Sequence, residues 1–299
     1  MDICFNELRI AVLGGDRRQT VISKDFAKAG CGVRAYALSN LSETSSKVEI
    51  CMTLEKAAEG ADVYILPLPV TRDNLHLNAQ GEKIKLCDIV KLAAKNKAII
   101  FGGLIPDEMK GLCERIGVEA IDYYDSESLQ RKNALPSAEG ALMIAMEHTD
   151  ITVSRMRALV SGYGRIGRIL ASILHKLGAS VTVAARRDEC LCEASMMGYG
   201  AVRISGEGTE LKNALENTDV IFNTVPYVIF TEKVLNDIVS TPLYIEIASA
   251  PGGIDIAAAR GVGIETIFAP SLPGKYAPVS AGEYIFETVS DIILKRRAQ

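Results

Sequence analysis

The sequence predicts an α/β protein made of two doubly wound parallel-sheet domains, a flavodoxin-like N-terminal domain and a Rossmann NAD(P)-binding C-terminal domain. Three observations predict it. Apolar segments of strand length alternate with helix-period segments throughout, the pattern of parallel sheets covered on both faces. The 299 residues, 48% hydrophobic, are enough for two cores of ordinary size. The run Ser161-Gly162-Tyr163-Gly164-Arg165-Ile166-Gly167 sits between an apolar stretch, Ala158 to Val160, and an amphipathic one, Ile166 to Leu177, with a further apolar strand beyond.

In the first half, Leu8 to Leu13, Val33 to Ala37, Val63 to Leu66, Ala98 to Phe101 and Val118 to Ile121 read as strands. Helices begin near Thr20, Leu54, Glu82, Asp107 and Ser137, which makes a five-stranded unit. In the second half, strands near Ala158, Val181, Val202, Val220, Leu243 and Glu265 fit a six-stranded nucleotide-binding domain. Ser280-x-x-Glu283 reads as a capping box opening a final helix toward Leu294. The boundary is expected near Asp150, after a helix from Ser137 to His148 that bridges the domains. Residues 1–150 then form the substrate and catalytic domain and 151–299 the dinucleotide domain, the last helix, about 280–299, being free to pack back on the first.

Each glycine of the fingerprint has its own mechanical role. Gly162 permits the tight turn, Gly164 lets backbone N–H groups approach a pyrophosphate, and Gly167 lets the helix press on the sheet. The helix N-terminus then faces the phosphates with its partial positive charge. The next strand ends in Arg186-Arg187, where NAD-selective folds carry an acid for the ribose 2′-hydroxyl. An arginine fork there suits a 2′-phosphate, so NADP is expected, with NAD as the alternative. Asp188 comes slightly late and is expected to cap the following helix.

The net charge of −4 shows no basic excess, which argues against nucleic acid as a partner. Met1 to Glu7 lacks a basic n-region, and no apolar run reaches membrane-spanning length, so a soluble cytoplasmic protein is expected. Cysteines at positions 4, 31, 51, 87, 113, 190 and 192, an odd number, suit a reducing compartment and small core sites. Cys190-x-Cys192 lacks the second ligand pair a structural zinc needs, so no metal is expected.

Three segments make the reading specific: Gly-Gly-Asp-x-Arg-Gln (Gly14 to Gln19), Asn-x-x-Pro-x-x-Glu-Gly (Asn133 to Gly140) and Leu-Pro-Gly-Lys-x-Ala-Pro (Leu272 to Pro278). With His148-Thr149-Asp150, Asn223-Thr224-Val225-Pro226 and Ala248-Ser249-Ala250-Pro251-Gly252-Gly253, the whole chain resembles the family of dipicolinate synthase A subunits. The wider plan is similar to the formate/glycerate and alanine dehydrogenases, in which a catalytic domain faces a nucleotide domain across a cleft. The resemblance implies NADP-dependent oxidation of a dihydrodipicolinate-type molecule to pyridine-2,6-dicarboxylate in the mother-cell cytoplasm of a sporulating bacterium. It also implies a partner, a flavoprotein-like B subunit. A homodimer is the default expectation for self-association.

A dihydropyridine that loses a hydride and a neighbouring proton becomes aromatic, so the enzyme mainly orients ring and nicotinamide. Two substrate carboxylates call for cationic and N–H-rich anchors, best supplied by bidentate arginine. Arg18 is the leading clamp, with Lys275 opposite it on the loop after the last strand; each has the alternative reading of a structural residue. Gln19, Asn133 and Ser137 complete the substrate side. Glu139, placed in the first turn of the bridging helix where the dipole favours its ionised form, is preferred as base. His148 lies nine residues on, about 13 Å along the axis, and a helix-end structural role competes for it. Lys275 is a further acid–base candidate. Residues 162–167, Arg186, Arg187, Thr224, Val225, Pro226 and Ala248 are expected around the cofactor.

Other readings stay open. A 2-hydroxyacid dehydrogenase shares the plan, but His76, His148 and His175 leave no histidine late in the nucleotide domain for its acid–base step. An alanine-dehydrogenase-like oxidation could use lysine. A non-catalytic NADP-binding protein remains the alternative of a different class.

Overall fold

The computed structural model describes residues 5, 7–39, 47–205, 209–236 and 238–298. Cys4 and Gln299 therefore lie outside the described residues. Strands β1 (Arg9–Leu13), β2 (Gly32–Tyr36), β3 (Val48–Ile50), β4 (Val63–Ile65), β5 (Ile99–Gly102) and β6 (Ala120–Asp122) form one parallel sheet in the order β3-β2-β1-β4-β5-β6. Strands β7 (Arg157–Ser161), β8 (Ser180–Ala185), β9 (Gly200–Arg203), β10 (Val220–Asn223), β11 (Leu243–Glu246) and β12 (Thr266–Phe268) form a second, in the order β12-β11-β10-β7-β8-β9. The helices of the first half are α1 (Arg17–Lys28), α2 (Leu54–Ala58), α3 (Leu86–Asn96), α4 (Asp107–Ile116) and α5 (Glu127–Glu147). Those of the second are α6 (Arg165–Lys176), α7 (Asp188–Met196), α8 (Thr209–Leu215), α9 (Glu232–Leu235), α10 (Ile256–Gly261), α11 (Leu272–Tyr276) and α12 (Pro278–Arg297).

Two doubly wound parallel sheets are thus present, as the alternating pattern predicts. The first has six strands, not five. The strand the sequence reading omits, β3, is only Val48-Glu49-Ile50, too short to show a period, and it extends the flavodoxin-like order 2-1-3-4-5 by one edge strand.

Central strands bury both faces, which is why they read as continuous apolar runs. In β1, Ile10 and Val12 join Phe26 and Ile285 on one face, while Ala11 and Leu13 join Ile89 and Ile100 on the other. In β7, Ala158 and Val160 pack with Leu170 and Phe222, and Leu159 with Ile221 and Phe230 on the reverse. Cys31, Cys51, Cys113 and Cys190 are buried in these layers, Cys87 is partly buried and Cys192 is exposed, all as free thiols.

By compactness the chain divides into two units. The first comprises the described residues up to Asn133 and from Ala277 onward; the second runs from Ala134 to Tyr276. The division falls inside α5, not at Asp150, and α12 belongs with the first unit, where it lies along α1 and seats Ile285, Val289 and Ile293 in the core.

Two helix starts differ from the sequence expectation. Pro136 marks a break in the sequence, yet α5 starts at Glu127 and carries Pro136 in its interior, giving up one backbone hydrogen bond. Helix α12 opens on Pro278 with Ala277 as N-cap and no capping side chain, so Ser280 and Glu283 form no capping box.

Candidate dinucleotide site

The fingerprint adopts the geometry its residues require. Gly162 follows β7 with φ +89°, and a Cβ there would meet Thr224 Oγ1. A Cβ on Gly167 would stand 2.1 Å from the Gly162 carbonyl oxygen, so α6 touches the turn backbone. Around Gly164 nothing lies within 4 Å of the same construction. Gly164 is the N-cap of α6, no side chain caps that end and no acid occupies its first turn. An open, uncapped helix start at the C-terminal edge of a parallel sheet fits a pyrophosphate.

Tyr163 is buried and the Arg168 guanidinium lies 4.4 Å from its ring centroid, the burial pushing the phenol pKa up. Arg168 is itself paired with Glu193. Arg165 and Ile166 begin α6 at the same edge. Thr224 closes the turn from the neighbouring strand: its N–H and its hydroxyl both donate to the Ser161 carbonyl at 2.9 Å. Val225 and Pro226 follow, the Val225 N–H donating to Asn223 Oδ1 at 3.2 Å.

At the tip of β8, Arg186 and Arg187 are both exposed, with Arg187 Nη2 donating to Cys190 Sγ at 3.3 Å. Asp188 does not cap α7. Arg187 is the N-cap, without a side-chain bond, and Asp188 sits one residue into the helix, paired instead with Arg203.

Beneath the strand ends lies a polar network that the sequence reading missed. Glu246, 3% exposed, closes β11. Its Oε1 accepts from Asn223 Nδ2 at 2.6 Å and from the Ala248 N–H at 3.1 Å. Its Oε2 accepts from the Tyr244 hydroxyl at 2.9 Å and the Gly253 N–H at 2.7 Å. The Ser161 hydroxyl donates to Asn223 Oδ1 at 2.6 Å, which carries the chain of bonds to β7. Four donors meet the acceptor capacity of a buried carboxylate without a cation. Burial and the adjoining Glu246 charge hold the Tyr244 phenol protonated by pushing its pKa well up. The network ties the fingerprint turn, residues 223–225 and the loop from Ala248 to Gly253 into one rigid edge. Its signal was visible: Glu246 is the one carboxylate inside the apolar run Leu243 to Ile247.

In the first unit, Arg18 is buried at the start of α1. Its Nε and Nη2 fork onto Asp16 at 2.9 and 2.8 Å, and Nη2 also donates to the Leu68 carbonyl at 2.5 Å. Gln19 is buried too and donates to the Ile65 carbonyl at 3.2 Å. Both side chains brace the ends of β1 and β4. Asn133 and Ser137 are buried on successive turns of α5.

Glu139 is exposed in the middle of α5, not in its first turn, because the helix starts twelve residues earlier at Glu127; the dipole argument for its ionisation does not apply. His148 follows the end of α5 with Nδ1 3.6 Å from Glu265 Oε1. Lys275 is exposed on the short helix α11 rather than on a loop.

Known proteins share this plan. Residues 9–124 match the family model for the N-terminal domain of the dipicolinate synthase A subunit. The dipicolinate synthase A subunit of Bacillus subtilis is 27% identical over 294 residues, covering 98% of either chain. Its crystal structure covers 100% of this chain and 99% of its own at a TM-score of 0.85. By sequence and by fold the chain is similar to the dipicolinate synthase A subunits. The corresponding structure from Bacillus halodurans agrees, with 26% identity, 99% coverage of both chains and a TM-score of 0.84. In the second half, residues 158–249, which hold the glycine turn, match "NADP oxidoreductase coenzyme F420-dependent". An L-alanine dehydrogenase shares the fold at a TM-score of 0.65 and 13% identity, covering 98% of this chain and 90% of its own. The second half is therefore a nucleotide domain of the nicotinamide oxidoreductase type. Among the described residues no helix is long and apolar enough to cross a membrane.

Proposed function

We propose that the chain oxidises a dihydrodipicolinate-type molecule to dipicolinate with reduction of NADP, working with a B subunit in the mother-cell cytoplasm of a sporulating bacterium. The single observation that carries this is the likeness to the dipicolinate synthase A subunit of Bacillus subtilis along 98% of the chain, with the glycine turn intact within it. Bound at that turn, the nicotinamide would accept the hydride, and Gly164 with the α6 start would hold its pyrophosphate. Arg186 and Arg187 would take a 2′-phosphate, which makes NADP the proposed form.

The substrate side is assigned to the first unit and α5, with Arg18, Gln19, Asn133 and Ser137 as its polar groups and Lys275 as a second cation. Because Arg18 already forks onto Asp16, its contribution would be a rigidly held guanidinium with limited spare donor capacity. Aromatisation releases one hydride to the coenzyme and one proton to a base. Glu139 is the proposed base, since His148 already has Glu265 beside it.

Purified chain mixed with NADP and freshly generated dihydrodipicolinate tests the reading. NADPH absorbance should rise in step with pyridine-2,6-dicarboxylate, with the chain alone or with the B subunit added. Coenzyme binding without turnover, with or without B, would replace the enzyme by a non-catalytic dinucleotide-binding protein.

A further inference from the structure

In doubly wound nucleotide domains, the tip of the second strand decides between the two dinucleotides: an acid there accepts the ribose 2′-hydroxyl, a cation there accepts a 2′-phosphate. This tip holds both kinds of charge, Arg186-Arg187 followed at once by Asp188. Asp188 is 71% exposed, and nothing in the first turn of α7 ties it down from within the helix. What holds it is Arg203. The last residue of β9, Arg203 stands in register with Ala185 of β8 and pairs its Nη2 with the Asp188 carboxylate. Its Nη1 donates to the Arg186 carbonyl at 3.3 Å, and its own N–H donates to Glu210 Oε2 at 3.1 Å. One side chain thus grips the tip at residue 186 and at residue 188.

We propose that Arg203 is the specificity-determining positioning residue of the dinucleotide site. By pairing with Asp188 it keeps a carboxylate off the adenosine ribose and leaves the tip to Arg186 and Arg187. Freed from Arg203, Asp188 would be an acid beside the ribose, able to accept a 2′-hydroxyl and repelling a 2′-phosphate. The inference rests on the reading that the second unit binds a nicotinamide dinucleotide with its ribose at the β8 tip.

The test is a double-mutant cycle on the full chain, with dissociation constants for NADPH and NADH read from coenzyme fluorescence. Wild type should prefer NADPH. Arg203→Ala should cut that preference by at least about fivefold, partly through tighter NADH binding. Asp188→Asn alone should change it little. The double variant should lose the NADH gain and return to within about twofold of the wild-type ratio. Arg203→Gln, which keeps reach and volume, carries the same expectation should the alanine variant fail to fold. An unchanged ratio in both Arg203 variants overturns the proposal. So does a double variant that behaves like Arg203→Ala, which would mean that Arg203 touches the phosphate itself. Wild-type protein that binds neither coenzyme would instead bring down the underlying reading, and this inference with it.

Discussion

The three fingerprint glycines are alike in sequence and unlike in what surrounds them, which separates their roles experimentally. Gly164→Ala puts a methyl group into open space at an extended backbone angle, so the melting temperature should stay within about 1 °C of wild type while dinucleotide affinity falls about tenfold or more. Gly167→Ala drives a methyl group into the Gly162 carbonyl and should cost about 1–3 kcal/mol of stability as well as binding. Calorimetry with and without NADP measures both. If Gly164→Ala kept full affinity, the helix start would not be the phosphate site. These glycines were legible in the sequence because their spacing is set locally, by the turn at Gly162 and the close approach of α6 at Gly167. Arg18 and Gln19 were legible as important but not in their detail: no local pattern states that Asp16 and the Leu68 carbonyl will engage the guanidinium, the latter a contact made across fifty residues of chain. Glu246 was missed for the same reason, its four donors coming from three separate segments.

At the scale of elements, strand runs follow from apolar patterning, because burial on two faces leaves a strong signal. What patterning misses are short edge elements and helix starts that break local rules, as β3 and the Pro136-bearing α5 do. Strand alignment has its own fasteners. The Arg157 backbone and side chain both donate to Asp219, joining the starts of β7 and β10. Arg157 holds the Asp219 carboxyl below its ordinary value of 3.8. A depressed folded pKa stabilises above the unfolded value, and the benefit disappears as pH falls through the folded one. Asp219→Asn should therefore melt about 3 °C below wild type at pH 6, with the gap closing toward pH 3. A gap that widens in acid would contradict the assignment; thermal scans in matched buffers decide.

On the scale of the whole molecule, the two units are built on one plan. Arg9 and Asp62 join β1 to β4 as Arg157 and Asp219 join β7 to β10. Gly14 donates to the Tyr36 carbonyl at 2.9 Å as Gly162 does to the Ala184 carbonyl at 2.8 Å. Binding NADP to one unit predicts uneven protection: hydrogen exchange should slow across residues 158–249 and change little over 9–124. Equal slowing in both stretches would mean that coenzyme engages the first unit as strongly. The two plans part at the N-cap. Where α6 opens on bare Gly164, α1 opens on Asp16, whose carboxylate accepts the Arg18 N–H and fork. The first unit furnishes its own anion at the place where its twin leaves the helix start without a capping side chain. A single side chain thus makes the difference between two matching helix starts, and, on the proposed function, the halves could part in role without parting in architecture.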